Sequence, residues 1–390
     1  MESKKYRVIF ISGVLDHINL PICLELKKHY GDSFLFISTI EMPASRLAIG
    51  YGKYDDLYDF VLPAYESEDN FELARKLTND ADIVLYGSVP KRSLIRSRLR
   101  SKKITFQVSE RFFKEKTTFK NFWRRVVGIL THYYSFPQRN KYILCEGGYV
   151  ANDLDICHLY RNKRLKWGYF TNYTNKPFLD LINEKSKNAK LTLLWVGRFV
   201  ALKRPRIAIN LAKFLDENHI DFELKMVGYG PILEECRIYA EQLGLSNKVI
   251  FTGALNLEEK EKTMNEAKLF LFTSAREEGW GAVVNEAMGS ACVVIASAEA
   301  GAPTALIEDG RNGYLFKNGD QIQLNNLVAN LAKDITKNTH IQENAYTTIH
   351  NLWNHEIAVD RLSKIIDSLL ECGTFSFEKD GPCSEAIAIK

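Results

Sequence analysis

The chain has 390 residues, of which 46% are hydrophobic and 26% charged, and it carries a net charge of +4 at pH 7. This composition excludes a disordered chain and a disulfide-rich miniprotein, and the length predicts roughly two to three domains. No apolar run reaches the roughly 20 residues that span a bilayer. The seven cysteines are scattered without a CxxC pair, which favours a reduced, cytoplasmic protein over a zinc or disulfide framework.

Short apolar segments alternate with helical segments along most of the chain, and they fall into two series. The expected strands are 7–11, 34–38, 83–86, 104–107 and 142–144, followed by 191–196, 223–227, 249–252, 269–272, 293–296 and 314–316. Continuously apolar strands are typical of parallel sheets covered on both faces. The sequence therefore predicts two doubly wound α/β domains, residues 1–180 and 181–390. A polar linker is expected at 171–190, and an amphipathic helix at 357–370.

Polar and glycine-rich turns follow several strands of the second series. Gly197, Arg198 and Lys203 come after the strand at 191–196, directly before a helix. A glycine turn, two cations and a helix N-terminus together suit a diphosphate. A solvated basic loop is an equally good interpretation of this turn. Gly228 and Gly230 form a second turn at the same end of the expected sheet.

Two glutamates separated by seven residues form the sharpest motif. Glu278 lies in a loop after the strand at 269–272, and Glu286 lies on the following helix. A carboxylate accepts two hydroxyl hydrogen bonds, which suits the vicinal diols of sugars. The alternative is a pair of surface glutamates, which the glycines and small residues around them disfavour.

The tracts that carry these residues resemble a known family. GRFVALKRP, VGYGP, SAREEGWGAVVNEAMG and AGAPTALIEDGRNGYLF are similar to the C-terminal half of glycosyltransferase family four, of the polysaccharide-biosynthesis type. The resemblance is strong over about 191–362 and general over 1–190. It implies the GT-B fold, in which two Rossmann-like domains face a central cleft. It also implies an acceptor-side N-terminal domain, a donor-binding C-terminal domain and a last helix able to return to the N-terminal one.

The resemblance assigns roles by position. It implies that Arg198 and Lys203 bind the donor diphosphate and that Glu278 holds the donor sugar, these three forming the catalytic set. Glu286 would hold the ribose hydroxyls. The remaining donor-binding candidates are Gly13, Gly197, Gly228, Gly230, Gly279, Trp280 and Gly281. The family often has an acid where this chain has Thr304, so no acidic role is expected there.

The acceptor side carries a weaker signal. His17 lies in the turn after the first strand, and Glu110 and Arg111 follow the strand at 104–107. The resemblance implies that these turns face the acceptor, so all three residues are acceptor-side candidates. A surface histidine is an equally good interpretation of His17.

The expected activity is the retaining transfer of a sugar from a nucleotide-diphosphate sugar to the hydroxyl of a glycan or a lipid-linked acceptor. The donor is a substrate, and the cationic side chains take the place of a metal ion, so neither cofactor nor metal is expected. Two alternatives remain open. One is a nucleotide-sugar epimerase of similar two-lobed fold, and the other is a non-catalytic subunit that binds sugar nucleotides.

A basic tract at 91–125 has thirteen Lys and Arg against two acids, a net +11, interleaved with six aromatic residues. Such a tract predicts peripheral contact with an anionic membrane surface. The protein is then expected in the cytoplasm or at the inner face of the cell membrane. Nucleic acid is not expected, because no motif for it accompanies the charge. The alternative is an amphipathic helix packed on its own domain.

Overall fold

A computed structural model describes residues 7–47, 52–114 and 119–389 of the chain. They divide into two compact units. The first unit contains Met1–Thr171 together with Asn354–Lys390, and the second contains Asn172–Trp353. The division therefore differs from the expected one at 180 and 181. The C-terminal segment belongs to the first unit, as the resemblance allowed.

The first unit is built on a parallel sheet. Its elements are β1 (Val8–Ser12), α1 (Leu20–Tyr30), β2 (Phe34–Ser38), α2 (Ala44–Leu47), β3 (Val61–Pro63), α3 (Glu68–Asp80), β4 (Ile83–Tyr86), α4 (Ser93–Arg100), β5 (Thr105–Glu110), α5 (Phe119–Ile129), β6 (Lys141–Glu146), α6 (Val150–Ile156) and β7 (Arg164–Trp167). The strand order is β3-β2-β1-β4-β5-β6-β7. Every residue of β1 and β2 is buried, because helices cover both faces of the sheet.

The second unit repeats this architecture. Its elements are α7 (Phe178–Ser186), β8 (Leu191–Val196), α8 (Pro205–Glu217), β9 (Phe222–Val227), α9 (Leu233–Gln242), β10 (Val249–Gly253), α10 (Leu257–Glu266), β11 (Leu269–Phe272), α11 (Val283–Gly289), β12 (Val293–Ser297), α12 (Gly301–Leu306), β13 (Tyr314–Phe316), α13 (Gln321–Ala332) and α14 (Thr339–Asn351). The order β10-β9-β8-β11-β12-β13 confirms the predicted fold class.

The strand orders determine where ligands can bind. The connections change direction between β1 and β4 in the first sheet and between β8 and β11 in the second. At such a switch point, the loops after the two central strands leave on opposite faces and open a crevice at the carboxyl edge of the sheet. The switch point of the second sheet is flanked by the turn after β8 and the loop after β11. These segments carry the predicted cations and glutamates.

The expected linker at 171–190 is instead partly a packed helix. Within it, α7 places Lys185 in the interior, only 2% exposed. The ammonium of Lys185 donates to the carbonyls of Met264, Asn265 and Ala267, at 3.1, 2.9 and 2.7 Å. These carbonyls lie at the C-terminal end of α10, where helix carbonyls lack intrahelical partners. A lysine that satisfies them is therefore structural despite its polar character.

The C-terminal segment completes the first unit. The last helix, α15 (His355–Glu371), packs on α1. Residues after it run antiparallel beside β7: the Lys166 N–H donates to the Ser384 carbonyl and the Ala386 N–H to the Arg164 carbonyl, at 2.8 and 3.0 Å. Among the residues that the structure describes, no helix is both long and apolar enough to cross a membrane.

Part of the basic tract at 91–125 is internal, so not all of its charges can contact a membrane surface. Arg98 is 1% exposed, and its guanidinium donates to the carbonyls of Ala81, Asp82 and Ile104. Burial lowers the pKa of Arg98 to about 10. The Lys103 ammonium likewise donates to the carbonyls of Asn79 and Asp80. Residues 115–118 of the tract lie outside the described part of the chain.

Arg98→Leu should destabilise the first unit by about 3 kcal/mol, because several buried carbonyls lose their donor at once. Arg96→Leu is the matched control, since Arg96 lies on the same helix, α4, and is exposed. The urea midpoint of the full chain, followed by circular dichroism, measures both variants. Equal midpoints for the two variants would show that the Arg98 hydrogen bonds contribute no stability.

Candidate active site

A threonine hydroxyl joins the two segments that flank the switch point of the second sheet. Thr273 follows β11 and accepts a hydrogen bond from Trp195 Nε1 at 2.9 Å. Its hydroxyl donates to the carbonyl of Lys203 at 2.7 Å. The Ala275 N–H adds a hydrogen bond to the Leu202 carbonyl at 2.9 Å. The turn that carries the predicted cations is thereby held against the loop that carries Glu278.

Two glycine turns contact each other through their backbones. Gly228 has φ +139°, and a Cβ there would lie 1.9 Å from the Gly197 carbonyl oxygen. Gly230 has φ +151°, and its Cβ would lie 2.4 Å from the Phe199 carbonyl oxygen. The Phe199 N–H donates to the Tyr229 carbonyl at 2.7 Å. Only glycine permits this approach, so the predicted glycines Gly197, Gly228 and Gly230 form one structural element.

The predicted catalytic residues Lys203 and Glu278 form an ion pair, and both side chains are mostly buried, at 16% and 15% exposure. The Lys203 ammonium also lies 5.8 Å from the centre of the Phe272 ring. The third predicted residue, Arg198, is exposed in the turn after β8. The structure therefore brings one cation and one carboxylate into contact and leaves a second cation facing solvent beside them.

Glu286 has a cation partner that the sequence did not reveal. Its two carboxylate oxygens lie 2.9 and 2.8 Å from the ammonium of Lys260, and the glutamate is buried. Lys260 lies on α10, 26 residues before Glu286. No sequence motif connects it with Glu278 and Glu286. Both predicted sugar-binding glutamates are thus held by lysines.

The residues beside Glu278 differ in whether they can face a ligand or are buried inside the domain. The Trp280 side chain is 1% exposed and donates through Nε1 to Asn285 Oδ1 at 2.8 Å, so only its backbone could face a ligand. Gly279 is approached closely by the N-terminus of α12, where a Cβ on Gly301 would lie 1.9 Å from the Gly279 carbonyl oxygen. The Thr304 hydroxyl donates to carbonyls of its own helix at 3.0 Å.

A cavity of about 630 Å³ lies at the opposite edge of the second sheet. Its lining includes Thr192 and Glu223 near the starts of β8 and β9, and Ala267 just before β11. Ligands of doubly wound sheets bind at the carboxyl ends of the strands. The location of this cavity therefore separates it from the residues that carry the predicted chemistry.

The first unit has a cavity of about 480 Å³ at its own switch point. Gly13 follows β1 and lines it together with Gly87 and Ser88, which follow β4. A Cβ on Gly13 would meet its nearest neighbours at 3.6 Å, so a larger residue would fit there. The cavity therefore lies where a doubly wound sheet places a ligand.

Carboxylates from neighbouring strands line this cavity. Glu110 and Glu146 end β5 and β6 in the same register. Glu110 accepts a hydrogen bond from the Tyr169 hydroxyl at 2.6 Å and pairs with Lys114. Burial, and then the charge of Glu110, raise the pKa of Glu146 well above its usual value. Sequence reasoning missed Glu146, because the expected strand ended at residue 144 whereas β6 continues to Glu146.

The other acceptor-side candidates have different surroundings. Arg111 is buried and forms an ion pair with Asp153 at 3.1 Å, with its guanidinium 5.0 Å from the Tyr149 ring centre. His17 is half-buried in the turn before α1, and it is not among the described residues that line the cavity. Of the three candidates, Glu110 and Arg111 both line the cavity, and Arg111 is in addition held by Asp153.

Comparison with known proteins gives a family match within the second unit. The family model of the glycosyl transferases group 1 matches residues 180–348, the segment that contains Arg198, Lys203, Glu278 and Glu286. This segment is similar to the group 1 glycosyl transferases. The match confirms the resemblance to a glycosyltransferase over the motifs that carried it.

Relatives of the chain are named as biosynthetic glycosyltransferases. It is 25% identical over 228 residues to the amylovoran biosynthesis glycosyltransferase AmsK of Erwinia amylovora, covering 55% of this chain and 56% of AmsK. It is 23% identical to the putative colanic acid biosynthesis glycosyltransferase WcaL of Escherichia coli, covering 47% of each chain. The alignments thus span about half the length of these relatives.

A solved structure supports the fold over nearly the whole chain. HepE of Anabaena, in complex with UDP, superposes with a TM-score of 0.67 at 16% identity, covering 93% of this chain and 100% of HepE. At this level of identity the likeness concerns the fold. It agrees with the GT-B architecture implied by the sequence, in which each unit is a parallel doubly wound domain.

Thr273→Val should loosen the contact between the turn after β8 and the loop after β11 without unfolding the domain. Thr192→Val is the matched control: the Thr192 hydroxyl also accepts one hydrogen bond, from Lys268 N at 3.0 Å, and donates one, to the Glu266 carbonyl at 3.2 Å, at the other edge of the sheet. Each variant should lose about 2 kcal/mol of stability. Only Thr273→Val should speed amide hydrogen exchange in residues 197–205, at least tenfold. Equal exchange in the two variants would contradict a positioning role for Thr273.

Proposed function

We propose that the chain is a retaining glycosyltransferase that moves a sugar from a nucleoside-diphosphate sugar to a hydroxyl of a glycan or lipid-linked acceptor. The observation that carries the proposal is the contact of Lys203 with Glu278 at the switch point of the second sheet, inside the segment matched by the group 1 family. The polysaccharide-biosynthesis names of AmsK and WcaL support the class of product. The solved complexes of HepE with UDP and UDP-glucose support the class of donor.

The donor diphosphate would be bound by the turn after β8. Arg198 faces solvent there, and Lys203 has its ammonium fixed beside Glu278. Charge builds on the diphosphate as the bond to the sugar breaks. Preorganised cations and backbone N–H groups stabilise that charge without reorganising at the moment of reaction. In this proposal no metal ion takes part, and the leaving phosphate accepts the acceptor proton on the face from which it departs.

The two glutamates would recognise the hydroxyls of the donor. Glu278 would bind the sugar, and Glu286 the ribose. Each carboxylate has two oxygens with about four acceptor positions, so each can keep its lysine while it accepts from hydroxyls. Lys203 and Lys260 would then orient the carboxylates before the donor arrives.

The acceptor would enter the cavity of the first unit. Glu146 and Glu110 offer adjacent carboxyl groups there. Because the pKa of Glu146 is raised by burial and by the neighbouring charge, its carboxyl tends to hold a proton and can donate a hydrogen bond to an acceptor oxygen. Glu110, with Tyr169 and Lys114 as partners, would accept from an acceptor hydroxyl.

The two alternatives have less support. A nucleotide-sugar epimerase is not favoured, because AmsK and WcaL have transferase names. A non-catalytic binding subunit would bind the sugar nucleotide without turning it over, and the transferase names of the relatives disfavour it. Turnover of donor alone, without acceptor, separates an epimerase from a transferase.

Variants of the donor site should separate the roles of its residues in calorimetric titrations with UDP and UDP-glucose, followed by other nucleotides. Arg198→Ala and Lys203→Ala should each weaken both ligands by roughly 1.5–3 kcal/mol, the value of a charge-assisted contact. Glu286→Ala should weaken the free nucleotide. Glu278→Ala should spare the nucleotide and remove the advantage of the sugar nucleotide.

Lys260→Met serves as the control for Glu286. If the carboxylate itself binds ribose, Lys260→Met keeps nucleotide binding. If Lys260→Met weakens nucleotide binding as much as Glu286→Ala does, Glu286 acts only through its ion pair with Lys260. Product formation should also persist in EDTA. Loss of turnover that magnesium or manganese restores would contradict the metal-free mechanism.

We also propose that the first unit binds an anionic membrane surface through α5 and the turn after it. Trp123, Val127, Leu130 and Tyr134 are exposed large residues at helical spacing, with Trp123 at 61% and Val127 at 55% exposure. We call these four residues the Trp123 stripe. Arg124 is exposed beside it. Aromatic residues next to cations suit the headgroup region, where each basic residue contributes on the order of 1 kcal/mol.

Full-length protein should sediment with vesicles that contain anionic lipid at low salt, and much less with neutral vesicles. Trp123→Ala with Val127→Ser should reduce this binding, as should Arg92→Gln with Arg96→Gln, because these arginines are exposed. Leu257→Ser is the control, since Leu257 is similarly exposed but lies in the second unit. If the wild-type protein does not sediment with anionic vesicles at low salt, the proposal that α5 binds a membrane surface is wrong.

A further inference from the structure

Three metal-ligating side chains meet where α1 packs on α15. Glu25 lies on α1, and His355 and Glu356 are the first two residues of α15. One ligand atom from each residue lies within 4.8 Å of the other two. We call these residues the Glu25 cluster. It lies wholly in the first unit and takes no part in the donor chemistry proposed above.

The imidazole of His355 has an unused ligand atom. Its Nδ1 is buried, and no described residue makes a hydrogen bond with it. Buried polar atoms are rarely left without a partner, and the binding of an ion is one of the recognised reasons for such an atom. This orphaned nitrogen is an observation independent of the neighbouring acids.

The charge of the cluster is only weakly balanced. Glu25 and Glu356 bring two carboxylates together, and the nearby cation is the ammonium of Lys28, 3.0 Å from Glu25 Oε1. The Lys28 side chain is 70% exposed. Exposed pairs of this kind contribute little stability, so a divalent ion can replace the ammonium at low cost.

The start of α15 keeps its two ligands in place. The Asn354 side chain accepts a hydrogen bond from the Ile357 N–H at 2.8 Å, which fixes the first helical turn. Asn354 is itself buried. His355 and Glu356 are therefore presented from an ordered helix end towards Glu25.

From this arrangement we propose that Glu25, His355 and Glu356 bind a divalent first-row transition metal ion, with zinc as the preferred ion. One imidazole nitrogen and two carboxylate oxygens are donors that zinc accepts at about 2.0–2.2 Å, and a water molecule completes the tetrahedron. The three ligand atoms would need to contract to roughly 3.3 Å from one another. The Glu356 side chain is exposed and can make most of that movement, whereas Glu25 is only 19% exposed and stays close to its present position.

The ion would act as a clip. It would cross-link α15 to α1 directly after Trp353 and Asn354, where the chain passes from the second unit to the first. Bound metal stabilises the folded form in proportion to its concentration above the dissociation constant. The role is structural and concerns the attachment of the C-terminal segment.

Full-length protein, stripped with chelator, tests the proposal in calorimetric titrations with zinc chloride. One zinc ion should bind per chain and raise the unfolding temperature. Glu356→Gln and His355→Gln should each weaken zinc at least tenfold, whereas Lys28→Gln should tighten it because the competing ammonium is gone. Cobalt should give the visible absorption of a tetrahedral site, and Glu356→Gln should lose it.

Two controls exclude other sites. His340→Gln removes an exposed histidine, and Cys372→Ser removes the exposed cysteine; both should bind zinc like the wild type. Because Glu356 is exposed, its glutamine variant should fold normally even if His355→Gln does not. Absence of zinc binding, binding unchanged in Glu356→Gln, or binding lost in Cys372→Ser would each overturn the proposal. Nucleotide titrations on the same variants test the donor site separately.

Discussion

The hydroxyl of Thr273 is the constraint on which the donor-side geometry depends. It joins the indole of Trp195, on β8, to the backbone of Lys203 in the turn that follows. The ion pair between Lys203 and Glu278 does not hold these segments alone, because the cost of removing two mostly buried charges from water offsets much of their attraction. The hydrogen bonds of a buried hydroxyl are directional and protected from water. The backbone is therefore placed first, and the charged side chains meet as a consequence.

Buried cations form a second common theme. Arg98 binds carbonyls just beyond the end of α3, and Lys185 binds carbonyls at the end of α10. Lys141 does the same for α4, donating to the carbonyls of Arg98 and Ser101, and burial lowers its pKa to about 8. The last carbonyls of a helix lack partners and carry partial negative charge. Each cation satisfies several of them at once, so helix ends can be buried inside the domains.

The two sheets could be predicted from sequence because strands buried on both faces leave continuous apolar runs, as in β1 and β12. Glu278 and Glu286 could be found because their spacing and glycine neighbours are local. Lys260 could not, since it reaches Glu286 from another helix and only the fold makes them neighbours. The buried positions of Arg98 and Lys185 could not be predicted either, because lysine and arginine are ordinarily surface residues. Their partners are backbone carbonyls, which every residue has, so the sequence does not indicate these hydrogen bonds.

The path of the chain through the two units has a consequence for synthesis. The second unit is one continuous stretch, whereas the first needs Asn354–Lys390 for the helix that covers α1 and for the residues beside β7. Domains tend to fold in the order in which they leave the ribosome. Here the second unit can finish while the first still lacks its final pieces. The N-terminal sheet therefore keeps an unpaired edge at β7 until the last residues have been synthesised. During this interval the unpaired strand edge can pair with the wrong segment or with another chain.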